Sequence, residues 1–373
     1  MKLAIVRQKY TPYGGAERFV ARALDALRAR GVTVEIVARR WEGEAQGVRC
    51  DPFYLGRTWR DWSFARCVQR LIASNRYDLV QSHERIPGCH IFRAGDGVHA
   101  TWLELSGKRL AALSPWHRYT LAAEAAMFRH PDLRAVICNS QMVKDDIARR
   151  FPATADKLHV IYNGVALAHF HPGLRDEHRA ALRAKVDADR TAPVILFVGS
   201  GFARKGVATL LEALGRMETS AAEAWIVGRD KREARYRDLA ERLGIAERVR
   251  FFGAQDDVRP FYGAADLFCL PTRYDPFPNA ALEALACGLP VVTTTACGAA
   301  ELVGDCGAVC PPGDATALAL QLDALLQRAP QLSAAARAAA ADCDIAAMAD
   351  RLAALYERLI ESGSLRPPRN PPR

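Results

Sequence analysis

Two carboxylates, Asp275 and Glu283, stand eight positions apart in the run Thr272-Arg273-Tyr274-Asp275-Pro276-Phe277-Pro278-Asn279-Ala280-Ala281-Leu282-Glu283-Ala284. The apolar run at 265–270 ahead of them reads as a buried strand. Pro276 and Pro278 keep the following backbone extended, and a helix is expected from Asn279 or Ala280 to Gly288. A strand leading into a helix N-terminus aims backbone N–H groups and the positive end of the helix dipole at one spot, which suits a phosphate. Asp275, in the loop, can reach beyond such phosphates, and Glu283, one turn in, can accept hydrogen bonds from hydroxyls behind them. A sugar nucleotide has that polarity: hexose, diphosphate, ribose. Taken alone, the segment is equally an ordinary junction with a capping Asp and a surface Glu, so other segments must decide.

The turn Gly199-Ser200-Gly201-Phe202-Ala203-Arg204-Lys205-Gly206-Val207 follows a second apolar strand run, 194–199. Arg204 and Lys205 between glycines can clamp a diphosphate and neutralise the charge that builds on a departing nucleoside diphosphate. The spacing is not a Walker loop, since the glycines are misplaced and no Ser or Thr follows the lysine. Near the N-terminus, Gly14-Gly15-Ala16-Glu17 follows the first strand run, and two glycines entering a helix let a ligand approach the backbone. The pattern is not G-x-G-x-x-G, which argues against a dinucleotide-dependent dehydrogenase.

Together, Gly14-Gly15, Gly199 with Arg204-Lys205-Gly206, and Asp275 with Glu283-Ala284 resemble the retaining GT-B-type glycosyltransferases of family 4. The likeness extends over nearly the whole chain, through Cys138-Asn139-Ser140, Asn163-Gly164-Val165 and Gly288-Leu289-Pro290-Val291-Val292. Within the family, the runs at 9–15, 40–44, 202–207 and 227–231 are similar to the branch that adds a glucose to the lipopolysaccharide core. The resemblance implies that Lys205 and Arg204 hold the diphosphate, Glu283 the ribose and Asp275 the hexose. Backbone amides of Pro276-Phe277-Pro278-Asn279-Ala280 would support sugar and phosphate, and Gly253-Ala254 would meet the base. The first carboxylate is usually Glu in the family, so Asp275 leaves the hexose open. An acidic residue of the resembling branch is replaced here by Phe19, so either Glu17 serves in its place or the contact is missing, and His169 stands where Arg is common. The implied reaction moves glucose from UDP-glucose to an inner-core heptose, with no cofactor and no metal. The implied place is the cytoplasmic face of the inner membrane. Alternatives are another nucleotide sugar or acceptor, a sugar-nucleotide epimerase of the same fold, and a non-catalytic binding protein.

On the acceptor side, Arg93-Ala94-Gly95-Asp96-Gly97-Val98-His99 follows a strand run. The resembling family often has a His at the end of a first-domain strand, near the reacting centre; Asp96 fits that position better than His99, and either could orient an acceptor hydroxyl or take its proton. His83-Glu84 is a second candidate. Residues 102–130 interleave Lys108, Arg109, Trp116 and Arg118 on a helical segment, which suits an anionic bilayer surface and equally a helix pair with a solvated basic face.

Charge supports an anionic partner. Residues 1–165 carry 26 Lys+Arg against 16 Asp+Glu, and residues 166–373 carry 25 against 26, so the whole excess of +9 lies in the first half. No nucleic-acid motif accompanies it, so nucleic acid ranks last. The ten cysteines show no C-x-x-C spacing and are expected as buried free thiols. No apolar run approaches a membrane span, and the N-terminus reads as a strand rather than a leader.

The elements that must position these residues follow a repeating strand–helix rhythm. Short apolar runs at 3–6, 32–38, 78–81, 90–93, 135–138 and 157–161 alternate with helical patterns, and the rhythm restarts at 194–199, 224–227, 249–251, 266–270, 291–293 and 308–310. This predicts an α/β protein of GT-B type, two doubly wound Rossmann-like domains facing a cleft. The expected bounds are 1–165 for an acceptor-side domain, 166–345 for a nucleotide-sugar domain, 346–362 for a helix returning to the first, and 364–373 for a disordered tail.

Overall fold

The computed structural model describes residues 1–10, 27–41, 47–105, 114–189 and 191–364. The chain divides into two compact units, Met1–Gly164 with Ile345–Arg373, and Val165–Asp344.

In the first unit, β1 (Lys2–Tyr10), β2 (Thr33–Trp41), β3 (Gly47–Arg49), β4 (Leu79–Ser82), β5 (Ile91–Ala94), β6 (Ala135–Cys138) and β7 (Leu158–Val160) form one sheet in the order β3-β2-β1-β4-β5-β6-β7. Every pairing is parallel. The short, nearly continuous apolar runs fit strands covered on both faces. Leu3, Ile5, Leu79, Ile91 and Ile137 lie on one face against Met348, Leu352, Leu355 and Tyr356 of the helix Ile345–Ser364. Ala4, Val6 and Val80 lie on the other against Phe64 and Val68 of the helix Gly56–Ala73. The terminal helix thus completes the first core although the whole second unit intervenes in sequence. The buried Tyr356 hydroxyl donates to Gln81 Oε1 at 2.7 Å, and Arg30 is ion-paired with Asp350.

The second unit holds β8 (Val194–Val198), β9 (Glu223–Val227), β10 (Val249–Gly253), β11 (Leu267–Leu270), β12 (Val291–Thr294) and β13 (Gly307–Cys310), all parallel, in the order β10-β9-β8-β11-β12-β13. In both sheets the order reverses beside the first strand, between β1 and β4 and between β8 and β11. Ligands of open α/β sheets bind beyond the carboxyl ends of the strands at such a reversal. No helix among the described residues is long and apolar enough to cross a membrane.

Several expectations need correction. Strand β3 is a three-residue edge strand, too short to leave a hydrophobic period. The segment 102–130 holds parts of two helices, His99–Leu105 and Pro115–Arg129, in keeping with the helix-pair reading, and residues 106–113 lie outside the described residues. Cys50 and Cys67 are joined in a disulfide with Cα atoms 6.0 Å apart, whereas the other eight cysteines are buried free thiols. The pair is invisible in spacing because it forms only when the end of β3 is laid beside the helix Gly56–Ala73. Of the expected tail at 364–373, Ser364 ends the helix Ile345–Ser364, and residues 365–373 lie outside the described residues.

Leu352 is 3% exposed in the core that the terminal helix shares with the sheet. Leu352→Ala is therefore expected to cost roughly 3 kcal/mol. Hydrogen exchange should show the loss in amides of β1, β4 and β5 and leave those of β8 and β11 protected as before.

Candidate active site

The reversal between β8 and β11 brings two turns together. After β8 the backbone turns through Gly201 and enters the short helix Phe202–Lys205, ending at Gly206 with φ 79°. A Cβ at Gly206 would stand 1.9 Å from the Pro271 carbonyl oxygen, so only glycine lets the turn after β8 press on the turn after β11. A Cβ at Gly199 would meet Lys205 Cδ at 2.6 Å, so that glycine leaves the path the lysine side chain follows. The contact is tied by Arg273 N–H donating to the Arg204 carbonyl at 2.8 Å and Thr272 Oγ1 donating to the same carbonyl at 3.1 Å.

At this junction Lys205 Nζ and Arg204 Nη1 both reach Asp275 Oδ2, at 3.1 and 3.0 Å, and Arg204 Nη1 also donates to the Tyr274 carbonyl at 2.9 Å. The Lys205 and Asp275 side chains are 12% and 10% exposed, so their attraction is little screened; Arg204, at 40%, faces solvent. Asp275 is fixed from behind: its N–H donates to the Ala296 carbonyl at 3.0 Å and its carbonyl accepts from Gly298 N–H at 2.9 Å. Pro276, Phe277 and Pro278 are buried, and the helix Asn279–Ala286 starts at Pro278 without a side-chain cap. Its first turn is aimed at the same edge of the sheet as the two cations, an arrangement made for a polyanion.

Glu283 is half-buried on that helix, and Tyr262 donates to its Oε2 at 2.9 Å and to the Ala280 carbonyl at 3.1 Å. Tyr262 is buried, and burial together with the Glu283 charge holds its phenol well above the usual range, so it remains a donor. Tyr262 went unassigned in sequence because Phe261-Tyr262-Gly263-Ala264 reads as ordinary core; its one signal is a hydroxyl ahead of a buried strand. Asp230 was similarly without a role. It accepts from the Phe202 N–H at 2.8 Å and so fixes the start of the cationic helix. Ala254 is exposed directly after β10, beside Gly253, whose carbonyl accepts from Gly228 N–H at 2.8 Å. His169 is exposed in the turn at 166–170. Gly14, Gly15 and Glu17 lie outside the described residues.

At the corresponding reversal of the first sheet, Glu84 Oε1 accepts from Gln8 N–H at 3.0 Å, and burial raises its carboxyl above the usual range, with Asp96 adding repulsion. His83 is held well below its usual range by burial and by Arg7 and Arg93. Asp96 is exposed at the carboxyl end of β5. Its turn is fixed by Arg85, which donates to the Gly97 carbonyl at 2.9 Å and to buried Glu124 at 2.7 Å. His99 is different. Its N–H donates to Glu124 Oε1 at 2.9 Å, and its ring stacks on Trp102 and shares a 3.0 Å hydrogen bond with His117. Burial, then Arg85, His117 and Arg57, lower its pKa to about 4. Of the two candidates, Asp96 is open to a ligand and His99 is built into packing. Trp116 is not a free surface aromatic: it is half-buried, its indole N–H donates to Asp61 Oδ2 at 2.6 Å, and Arg57 covers its ring at 3.6 Å. Arg118 is exposed, and Lys108 and Arg109 lie outside the described residues.

A cationic turn, a carboxylate and a helix N-terminus at the strand reversal of a second Rossmann-like unit define a nucleotide-sugar transferase arrangement, and the comparisons with known proteins agree. Residues 13–169 match the Glycosyltransferase Family 4 model and residues 192–328 match Glycosyl transferases group 1. The chain belongs to glycosyltransferase family 4 and is an enzyme of the GT-B fold class. It is 36% identical over 320 residues to the lipopolysaccharide core biosynthesis glycosyltransferase LpsE of Rhizobium meliloti (strain 1021), covering 84% of this chain and 86% of that one. It is 27% identical over 318 residues to the lipopolysaccharide glucosyltransferase WaaG of Escherichia coli (strain K12), covering 83% and 85%. The crystal structure of WaaG superposes with a TM-score of 0.80 at 25% identity, over 95% of this chain and 99% of that chain.

The buried state of His99 has a pH consequence. The folded protein keeps it neutral down to about pH 4, whereas the unfolded chain takes up a proton near 6.5. Between those values the unfolded state binds more protons, so stability is unaffected above about 6.5 and falls as pH drops towards 4. His99→Gln is expected to flatten that acid limb in urea titrations run at stepped pH. An unchanged limb would refute the assignment.

Proposed function

We propose that this enzyme transfers glucose from UDP-glucose, with retention, to a heptose of the lipopolysaccharide inner core at the cytoplasmic face of the inner membrane. The observation that carries the reading is the convergence of Lys205, Arg204 and Asp275 beside the uncapped start of the helix Asn279–Ala286. In this reading Lys205, Arg204 and the first-turn amides hold the diphosphate, and Glu283, oriented by Tyr262, holds the ribose. Asp275 contacts the hexose next to the diphosphate, which is why it can sit within hydrogen-bond distance of both cations. Asp96 orients the acceptor hydroxyl. The names of LpsE and WaaG support the lipopolysaccharide core as the acceptor class, and WaaG's supports glucose.

Catalysis in this reading is positioning plus charge stabilisation. As the bond between the anomeric carbon and the diphosphate breaks, negative charge grows on UDP, and preorganised cations in a low-dielectric site stabilise it. Those two side chains supply the neutralising charge, so the proposal includes no metal and no cofactor. The UDP oxygen itself can take the acceptor proton on the face it leaves, which accounts for retention without a covalent nucleophile. A second reading changes only the hexose: Asp275 is one methylene shorter than the glutamate usual in the family.

Lys205→Ala is expected to leave the fold intact and slow transfer about a hundredfold, which corresponds to on the order of 3 kcal/mol of lost leaving-group stabilisation. A folded variant that turns over UDP-glucose at the normal rate would refute the diphosphate assignment.

Calorimetry separates the two carboxylates. Glu283→Gln and Tyr262→Phe should weaken UDP and UDP-glucose alike, because the ribose is common to both. Asp275→Asn should weaken UDP-glucose more than UDP, because the hexose contact is lost in addition to the support of the two cations. An equal loss for UDP and UDP-glucose in Asp275→Asn as well would refute the assignment of Asp275 to the hexose.

A further inference from the structure

We propose that the exposed aromatic patch at residues 53–62 is the surface on which the first unit docks to an anionic bilayer. The inference rests on the membrane-held acceptor of the reading above and assigns its contact surface. Among the described residues, the exposed large hydrophobics include Phe53, Leu55, Trp59 and Trp62, at 77%, 75%, 43% and 46% exposure, within one short segment. Leu105, Leu243, Val309 and Leu320 are scattered singly. Single exposed apolar residues need no explanation, but a contiguous group does.

The patch is held rigidly. Arg39, 3% exposed, donates to Asp51, to the Pro52 and Arg60 carbonyls and to Ser63. Phe53 and Trp59 meet edge to face with centroids 5.7 Å apart, still exposed. The apolar residues therefore stay outside because the backbone beneath them is anchored, not because the segment lacks structure.

Charge selects the occupant. Along the exposed face of the helix, Trp59 and Trp62 are followed at helical spacing by Arg66 and Arg70, also exposed. Arg66 lies over the Trp62 ring at 5.6 Å. The helix has no acidic residue in its first turn. The carboxylates alongside are already engaged, Asp51 with Arg39 and Arg49, and Asp61 with Gln8, Arg60 and Trp116. Tryptophans beside guanidinium groups suit the interface of an anionic membrane, with rings at the headgroup level and cations on the phosphates. A second copy is a poorer cover, because a two-fold contact through this patch would set its arginines against the same arginines. Trp116, engaged with Asp61, leaves the surface aromatics of this region to the 53–62 segment.

The test is co-sedimentation with phosphatidylglycerol-containing and pure phosphatidylcholine vesicles, with UDP calorimetry on every variant. The wild type should bind the anionic vesicles, and less so in high salt. Replacing Phe53, Leu55, Trp59 and Trp62 together with Ser should lower partitioning by about tenfold or more. Arg66→Gln with Arg70→Gln should weaken it and flatten its salt dependence. Lipids brominated in the acyl chain should quench the wild-type tryptophan emission, and Trp59→Phe with Trp62→Phe should remove most of that quenching while binding persists. UDP affinity should be unchanged throughout, and hydrogen-exchange protection of β1, β4 and β5 should match the wild type, which reports folding of the first unit. Undiminished vesicle binding by the Ser variant, or quenching unaffected by the Phe substitutions, overturns the assignment of the patch and leaves membrane association standing. Wild-type protein that binds UDP and no vesicle overturns membrane docking altogether. Self-association abolished by the Ser variant, without vesicle binding, assigns the patch to a second copy. Absent UDP binding by the wild type would instead strike the functional reading.

Discussion

One carboxylate oxygen organises the second unit's site. Asp275 Oδ2 accepts from both Lys205 and Arg204, which are adjacent in sequence and share a sign. Two cations at neighbouring positions of a four-residue helix repel each other, and a poorly solvated carboxylate between them offsets that cost. The arrangement is possible only because the strand order reverses between β8 and β11, which lays the turn after one strand against the turn after the other. Gly206, Thr272 and Arg273 hold those turns in contact, and the Ala296 carbonyl with the Gly298 N–H fixes the backbone of Asp275. The site is thus a property of the sheet's topology first and of its side chains second.

Much of this was legible in sequence because the chemistry is local. The strand runs in the second unit agree with the observed strands to within a residue or two, since continuous apolar runs bounded by glycine are a strong signal of parallel strands. Asp275, Glu283, Arg204 and Lys205 drew attention because carboxylates and cations at strand-to-helix turns are unusual enough to need a reason. Tyr262 and Asp230 were not legible. Each acts through hydrogen bonding to a residue twenty or more positions away in sequence, and nothing in the spacing distinguishes a core tyrosine from one that orients a glutamate. The Cys50–Cys67 pair and the edge strand β3 were missed for a related reason: their evidence is spatial proximity, which a linear pattern does not carry.

The first unit shows the same reversal with different contents. The carboxyl ends of β1, β4 and β5 bring together Arg7, His83, Glu84 and Arg93, and desolvation lowers His83 while raising Glu84, so both are pushed towards their neutral forms. Asp96 stays outside that group, exposed on a turn that Arg85 and Glu124 pin in place. The separation explains why two residues three positions apart, Asp96 and His99, end in unlike surroundings. The turn ends at His99, where the helix His99–Leu105 begins and draws the imidazole into contact with Trp102 and His117, while the glycines on either side of Asp96 leave it unsupported by packing.

The length of Asp275 matters because its backbone cannot move to compensate. Clamped on one side by the Ala296 carbonyl and on the other by the Gly298 N–H, the residue projects its carboxylate a fixed distance from the turn. A glutamate at the same place extends further by about one carbon–carbon bond, roughly 1.5 Å. The Asp carboxylate stays nearer the turn, and its distances of 3.1 and 3.0 Å to Lys205 and Arg204 are those of direct ion pairs. On the proposed function, the shorter side chain leaves more room for the hexose while the ion pairs with the two cations are kept. Under that proposal a change of one methylene at residue 275 acts on donor choice more than on leaving-group chemistry.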